Sequence, residues 1–132
     1  MDYGIQRLDA HPDQCAECHS ERGEGAIWGS GAGLAADASA NLYFLDANGT
    51  LDTTLNSQGF PSNGDFGNGF VKLSIAGNQL SVTDNFAMYN TAAESDADED
   101  LGSGGAMVLP DMTDAGGQTQ QLVIGARKDG NV

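Results

Sequence analysis

LAADASANLYFLDANG, residues 34–49, decides the fold class of this chain. A short apolar run leads into a polar turn, a second run LYFL follows, and an Asp-Ala-Asn-Gly loop closes the stretch. In the second run Leu42 and Phe44 fall on one side of an extended chain, Tyr43 and Leu45 on the other. Both sides are apolar, so this strand is expected to lie between two layers. The stretch reads as a β-hairpin opening an all-β domain of antiparallel sheets.

The downstream sequence repeats this pattern. Residues 48–69 form a polar, glycine-rich segment that is too long for a simple hairpin loop, and such segments are usually functional or mobile. FVKLSIAGNQLSVTDNF, residues 70–86, is the plainest hairpin, with its turn at Gly77 and Asn78. An acidic loop, NTAAESDADEDLGSGG, leads to a strand over 106–109 that Pro110 stops. QLVIGA is a further strand, and RKDGN opens another turn that has almost no return strand after it. Residues 1–22 differ from the rest: they hold both cysteines and both histidines. They are read as a separate leader with a short helix, ahead of a β region over 23–132. No helix is expected outside the first twenty-odd residues.

Composition narrows the function classes. A chain of 132 residues fits one domain. Glycine occurs 19 times without a collagen repeat, which indicates many turns. The net charge of −14 repels phosphate backbones and anionic lipid, so neither nucleic acid nor a membrane surface is an expected partner. A carboxylate-rich surface instead suits a hard cation such as Ca2+, or simply keeps the protein soluble. No apolar run reaches membrane-spanning length. The opening MDYGIQRLDAHPDQ has neither the basic start nor the apolar run of a secretion signal, which points to a cytoplasmic protein or to a mature or shortened form.

IWGSGAGLAADASANLYFLDANGT, FVKLS, DEDLGSGGAMVLPD and LVIGARKDGNV resemble secreted bacterial β-propellers of the quinoprotein-like (PQQ-like) family. The inner-strand hairpin of that family is matched at Ala36, Asp37, Asn41, Leu42 and Tyr43, with Asn41 beside the position where glycine often sits. The resemblance covers residues 23–132 and implies four-stranded antiparallel blades. It implies a partial propeller of about two blades, against the usual four to eight. It also implies a secreted or periplasmic location, and completion of the ring by oligomerisation.

Three sets of residues carry candidate chemistry. Cys15, Cys18 and His19 form C-x-x-C-H, the attachment pattern of c-type haem, with His19 as the axial ligand. His11 with the same three residues offers four zinc ligands, and a Cys15–Cys18 disulfide or free thiols are the plain alternatives. Asp46, Asn48 and Asp52 place oxygen ligands at intervals around a glycine turn, without the distal glutamate of an EF-hand. Asp96, Asp98 and Asp100 project from one side if the chain there is extended, as a second calcium candidate. The plain alternative at both places is an Asx turn in a solvated acidic loop.

No nucleophile elbow, dinucleotide fingerprint or P-loop is present: GSGAG and GSGGA lack the required order. Hydrolysis would have to be assisted by a metal ion polarising a carbonyl or phosphoryl oxygen. Three functions follow as expectations: a calcium-assisted, lactonase-like hydrolase of lactones or esters, a non-catalytic propeller fragment for assembly or partner binding, and a haem electron carrier. A homo-oligomer is expected from the unreturned strand at 122–126, and a small-molecule substrate if the chain is an enzyme.

Overall fold

The computed structural model describes residues 26–29, 31–128 and 130. The leader, and with it His11, Cys15, Cys18 and His19, lies outside the described residues.

The described chain is built of antiparallel β-sheet with little helix. Strands β1 (Ala35–Ala36), β2 (Leu42–Leu45), β3 (Gly69–Ala76) and β4 (Gln79–Ala87) form one four-stranded sheet in sequence order. The β3–β4 turn falls at Gly77 and Asn78, as the sequence implies. Both residues are left-handed, at φ 59° and 65°, the geometry of a two-residue turn that follows the strand twist. A bulge between Lys72 and Leu73 opposes the Val82–Asp84 segment and leaves Thr83 without a partner.

The register explains both faces of β2. Leu42 pairs with Leu73, and Leu73 with Val82; Phe44 pairs with Val71. These side chains and Phe66 make the apolar core, in which Phe44, Val71 and Leu73 are buried. On the opposite face Tyr43 pairs with Lys72 and Lys72 with Asp84, while Leu45 pairs with Phe70 and Phe70 with Phe86. Leu45 is buried there too, so β2 is covered on both sides as expected.

A second, interrupted hairpin follows. Strands β5 (Met107–Val108) and β8 (Val123–Ile124) pair, and β6 (Met112–Thr113) pairs with β7 (Thr119–Gln120). Pro110 separates β5 from β6, and a bond from Leu109 N–H to Leu122 O bridges the gap. Among the described residues, one four-stranded sheet and two two-stranded sheets that make one interrupted hairpin therefore stand where about two four-stranded sheets are expected, and the sheets stay open.

Two expectations need correction. Residues 48–69 are not one loose loop. They fold back as an arm, with bridges Leu51–Phe66 and Leu55–Pro61 and bonds from Asp52 N–H to Asp65 O and Gly67 N–H to Thr50 O. Helix also occurs outside the leader: α1 (Thr91–Asp96) and a 3₁₀ turn (Leu101–Ser103) lie inside the acidic loop. Ala92, Ala93 and Glu94 favour helix locally, and tertiary bonds described below hold this one turn and a half in place. Among the described residues, no helix is long and apolar enough to cross a membrane.

Candidate functional site

Two features gather side chains from distant parts of the chain: the polar knot that the acidic loop forms, and a groove on the second face of the sheet.

The knot gathers residues far apart in sequence. Asp100 is 1% exposed; its Oδ1 accepts the Asn48 backbone N–H at 2.9 Å and its Oδ2 the Lys128 ammonium at 2.7 Å. Lys128 titrates above the ordinary lysine range, chiefly because of that bond to Asp100. Asn48 donates its side-chain amide to Ser95 O at 2.9 Å. Asn68, fully buried, accepts the Leu101 N–H at 2.7 Å, and its carbonyl accepts the Thr91 hydroxyl at 2.9 Å. Arg127 and Glu94 form a buried ion pair, with side chains 6% and 5% exposed. Glu94 also accepts the Asn90 amide, and Arg127 reaches Met88 Sδ.

Glycine makes this knot sterically feasible. A Cβ at Gly102 would stand 2.6 Å from Ala47 N, so only glycine lets the 3₁₀ turn press onto the chain following β2. A Cβ at Gly104 would collide with Ala126 O. The GSGG run is therefore a packing element between two backbone segments.

The candidate calcium residues are placed as follows. Asp46 is buried and its Oδ1 accepts the Ala47 N–H at 3.0 Å. Asn48 belongs to the knot. Asp52 sits in the folded arm, where Oδ1 accepts the Thr54 N–H and Oδ2 accepts Ser62 Oγ and the Asn63 N–H. Those bonds, Asn63 first, hold its carboxyl below the usual range. Asp96, Asp98 and Asp100 do not share one side, because the segment is not extended. Asp96 ends α1 on the surface, Asp98 is left-handed at φ 58° and exposed, and Asp100 turns inward, with the Lys128 ammonium between the last two at 3.6 and 2.7 Å. Among the described residues, no group of three or more histidine, cysteine, aspartate or glutamate side chains is arranged to hold a metal ion.

A turn recurs three times that the sequence reading does not unite. Asp37, Asn56 and Asp114 each begin a five-residue turn. The first residue's Oδ1 accepts N–H groups two and four positions on: Ser39 and Asn41, Gln58 and Phe60, Gly116 and Gln118. The fourth residue is left-handed each time, as Ala40, Gly59 and Gly117. The visible signal is Asp or Asn followed three positions later by a small residue. At the first turn Asp37 Oδ2 further accepts the Asn41 amide at 2.7 Å and the Tyr43 hydroxyl at 2.8 Å. The Asn41 amide, foremost among these donors, draws the Asp37 carboxyl down to about 2.

Beside that turn lies the groove, of about 520 Å³, between the second face of the sheet and the C-terminal hairpin. Phe70 and Phe86 line one wall, edge to face at 6.2 Å, and Val123, Ile124 and Gly125 line the other. Tyr43, Lys72 and Asp84 form a polar row along the sheet. The Lys72 ammonium stands 5.6 Å over the Tyr43 ring, a cation–π contact. Desolvation, followed by the bond to Asp37, raises the Tyr43 phenol, whose hydroxyl donates to Asp37 Oδ2. Among the described residues, no serine, cysteine or histidine lines the groove. Phe86 is nonetheless 60% exposed. Compared with known proteins, the chain matches no family model, no curated protein and no solved structure.

Proposed function

We propose that this chain is a non-catalytic assembly module of β-propeller type, and that a second copy of the chain fills its groove. One observation carries this reading: Phe86 stands 60% exposed in an apolar groove, flanked by strands whose outer edges pair with no other strand among the described residues. Among the described residues, β4 pairs only with β3, and β8 only with β5. Open strand edges beside an apolar cleft favour another β-segment, which supplies backbone partners and side chains together. The meander β1-β2-β3-β4 followed by a hairpin suits a blade and the start of the next, consistent with the quinoprotein-like resemblance.

Exposed apolar residues outside the groove add support. Ile27, Trp28, Met107 and Leu122 are between about two-fifths and one-half exposed, and apolar surface of this kind commonly marks an interface. The groove's polar row, by contrast, holds no serine, cysteine or histidine among the described residues, so catalysis has less to stand on.

Sedimentation velocity across the micromolar range tests the proposal. The expected result is reversible self-association that Phe86→Asp abolishes while the β-type circular dichroism spectrum is kept. A monomer at every concentration overturns it. Turnover of a lactone or ester panel that requires Ca2+ would replace it with the calcium-assisted hydrolase.

A further inference from the structure

The chain contains three Asn-Gly steps, at Asn48-Gly49, Asn63-Gly64 and Asn68-Gly69. Asn-Gly is the step at which asparagine most readily deamidates, because glycine puts no side chain in the way of its own nitrogen. The structure treats the three very differently. Asn48 is 8% exposed, with its amide donated to Ser95 O. Asn68 is 0% exposed, and both ends of its amide are engaged, by the Leu101 N–H and by Glu99 O. Asn63 is exposed, its carboxamide makes no hydrogen bond among the described residues, and the space around Gly64 is open.

We infer that Asn63 is a spontaneous modification site, converting to aspartate and isoaspartate in the folded protein while Asn48 and Asn68 are held back. In the reaction the Gly64 backbone nitrogen attacks Asn63 Cγ and loses its proton, and ammonia leaves. The five-membered succinimide then takes up one water at either carbonyl and opens to aspartate or isoaspartate. Water is the only co-reactant. The Gly64 N–H is bonded to Pro61 O at 3.1 Å, so attack requires that one turn to open. At Asn48 and Asn68 the knot as a whole must open, a far rarer event.

The product has a local consequence. The Asn63 backbone N–H donates to Asp52 Oδ2 at 2.8 Å. A new carboxylate on the residue whose backbone N–H holds Asp52 adds a like charge near that carboxylate, and the two repel. The isoaspartate product also lengthens the backbone within the 52–65 arm, two residues from the Asp52–Asp65 ladder bond. Modification at this one position therefore loosens the arm and leaves the sheet core intact.

The test is peptide mapping by mass spectrometry after incubation in mildly alkaline buffer, with the chain folded in one arm and in denaturant in the other. In denaturant all three steps should convert at similar rates. In the folded protein Asn63 should convert faster than Asn48 and Asn68 by more than about tenfold, the ratio expected when local opening replaces global opening. Asn63→Gln should silence that peptide alone. Equal conversion at Asn48 or Asn68 in the folded chain, or an unmodified Asn63 peptide from it, overturns the inference.

Discussion

Asn48 donates its backbone N–H to Asp100 Oδ1 at 2.9 Å, joining positions 52 residues apart. Through this bond the acidic loop is fastened to the chain leaving β2. The Lys128 ammonium on the other oxygen of the same carboxylate ties in the C-terminal segment. One buried carboxylate thus connects three stretches that have no local reason to meet.

Replacing Asp100 by alanine leaves the buried Asn48 N–H without its acceptor and takes from Lys128 one of its acceptors, Asp98 O remaining. The expected destabilisation is about 2–4 kcal/mol, read from urea melts. Lys128→Ala should cost less, because its side chain is 44% exposed and its charge is screened by solvent. Asp96→Ala, on the surface at the end of α1, should stay within about 0.5 kcal/mol of the parent. Equal effects at positions 96 and 100 would contradict the knot.

How much of this was legible depends on the range of the interactions. FVKLSIAGNQLSVTDNF announces the β3–β4 hairpin because its turn residues and its alternation are both local. The two-faced burial of β2 follows from LYFL for the same reason. The knot is not announced anywhere. The partners of Asp100 stand at 48 and 128, and nothing in DADED tells a buried acceptor from its solvated neighbours. The GSGG run reads as a loop or a defective elbow until Ala47 and Ala126 are seen pressed against it. The groove is equally hidden, since Phe70 and Phe86 come from one hairpin and Ile124 from another.

Acid should weaken the first turn in a defined window. The Asp37 carboxyl lies at about 2 when folded, against about 3.9 in an unfolded chain. Its folded value is depressed, so its stabilising effect is complete above about pH 4 and is lost as pH falls through about 2. Asp37→Asn keeps the Oδ1 acceptor, as Asn56 does naturally, but removes the titration. Urea melts at several pH values should show the parent more stable than Asp37→Asn near neutrality. The gap should close on acidification between those two values. A gap that does not change with pH would disprove the assignment.

Gly102→Ala tests the packing account of the GSGG run. The added Cβ meets Ala47 N at 2.6 Å and Ala47 Cα at 2.7 Å, both backbone atoms that cannot swing aside. A loss of about 1–3 kcal/mol is expected, the usual cost of overpacking. Gly33→Ala, with open space around it, is the control and should be close to neutral. Thermal melts of the two variants compared with the parent decide the matter.

The recurring Asx turn makes its own prediction about Ala40. All three copies need a left-handed fourth residue, and two of them place glycine there, at Gly59 and Gly117. Ala40 adopts the same conformation at φ 62° although its Cβ opposes it, at a cost of about 1–2 kcal/mol. Glycine would remove that strain but adds about 0.4–1 kcal/mol of unfolded-state entropy. Ala40→Gly should therefore stabilise the protein by a few tenths to about 1 kcal/mol. Gly117→Ala, the reverse exchange in the equivalent turn, should destabilise it by a similar amount. Urea melts of the two variants should move in opposite directions. If Ala40→Gly lowers stability, the two turns are not equivalent, and contacts of the Ala40 methyl outweigh its backbone strain.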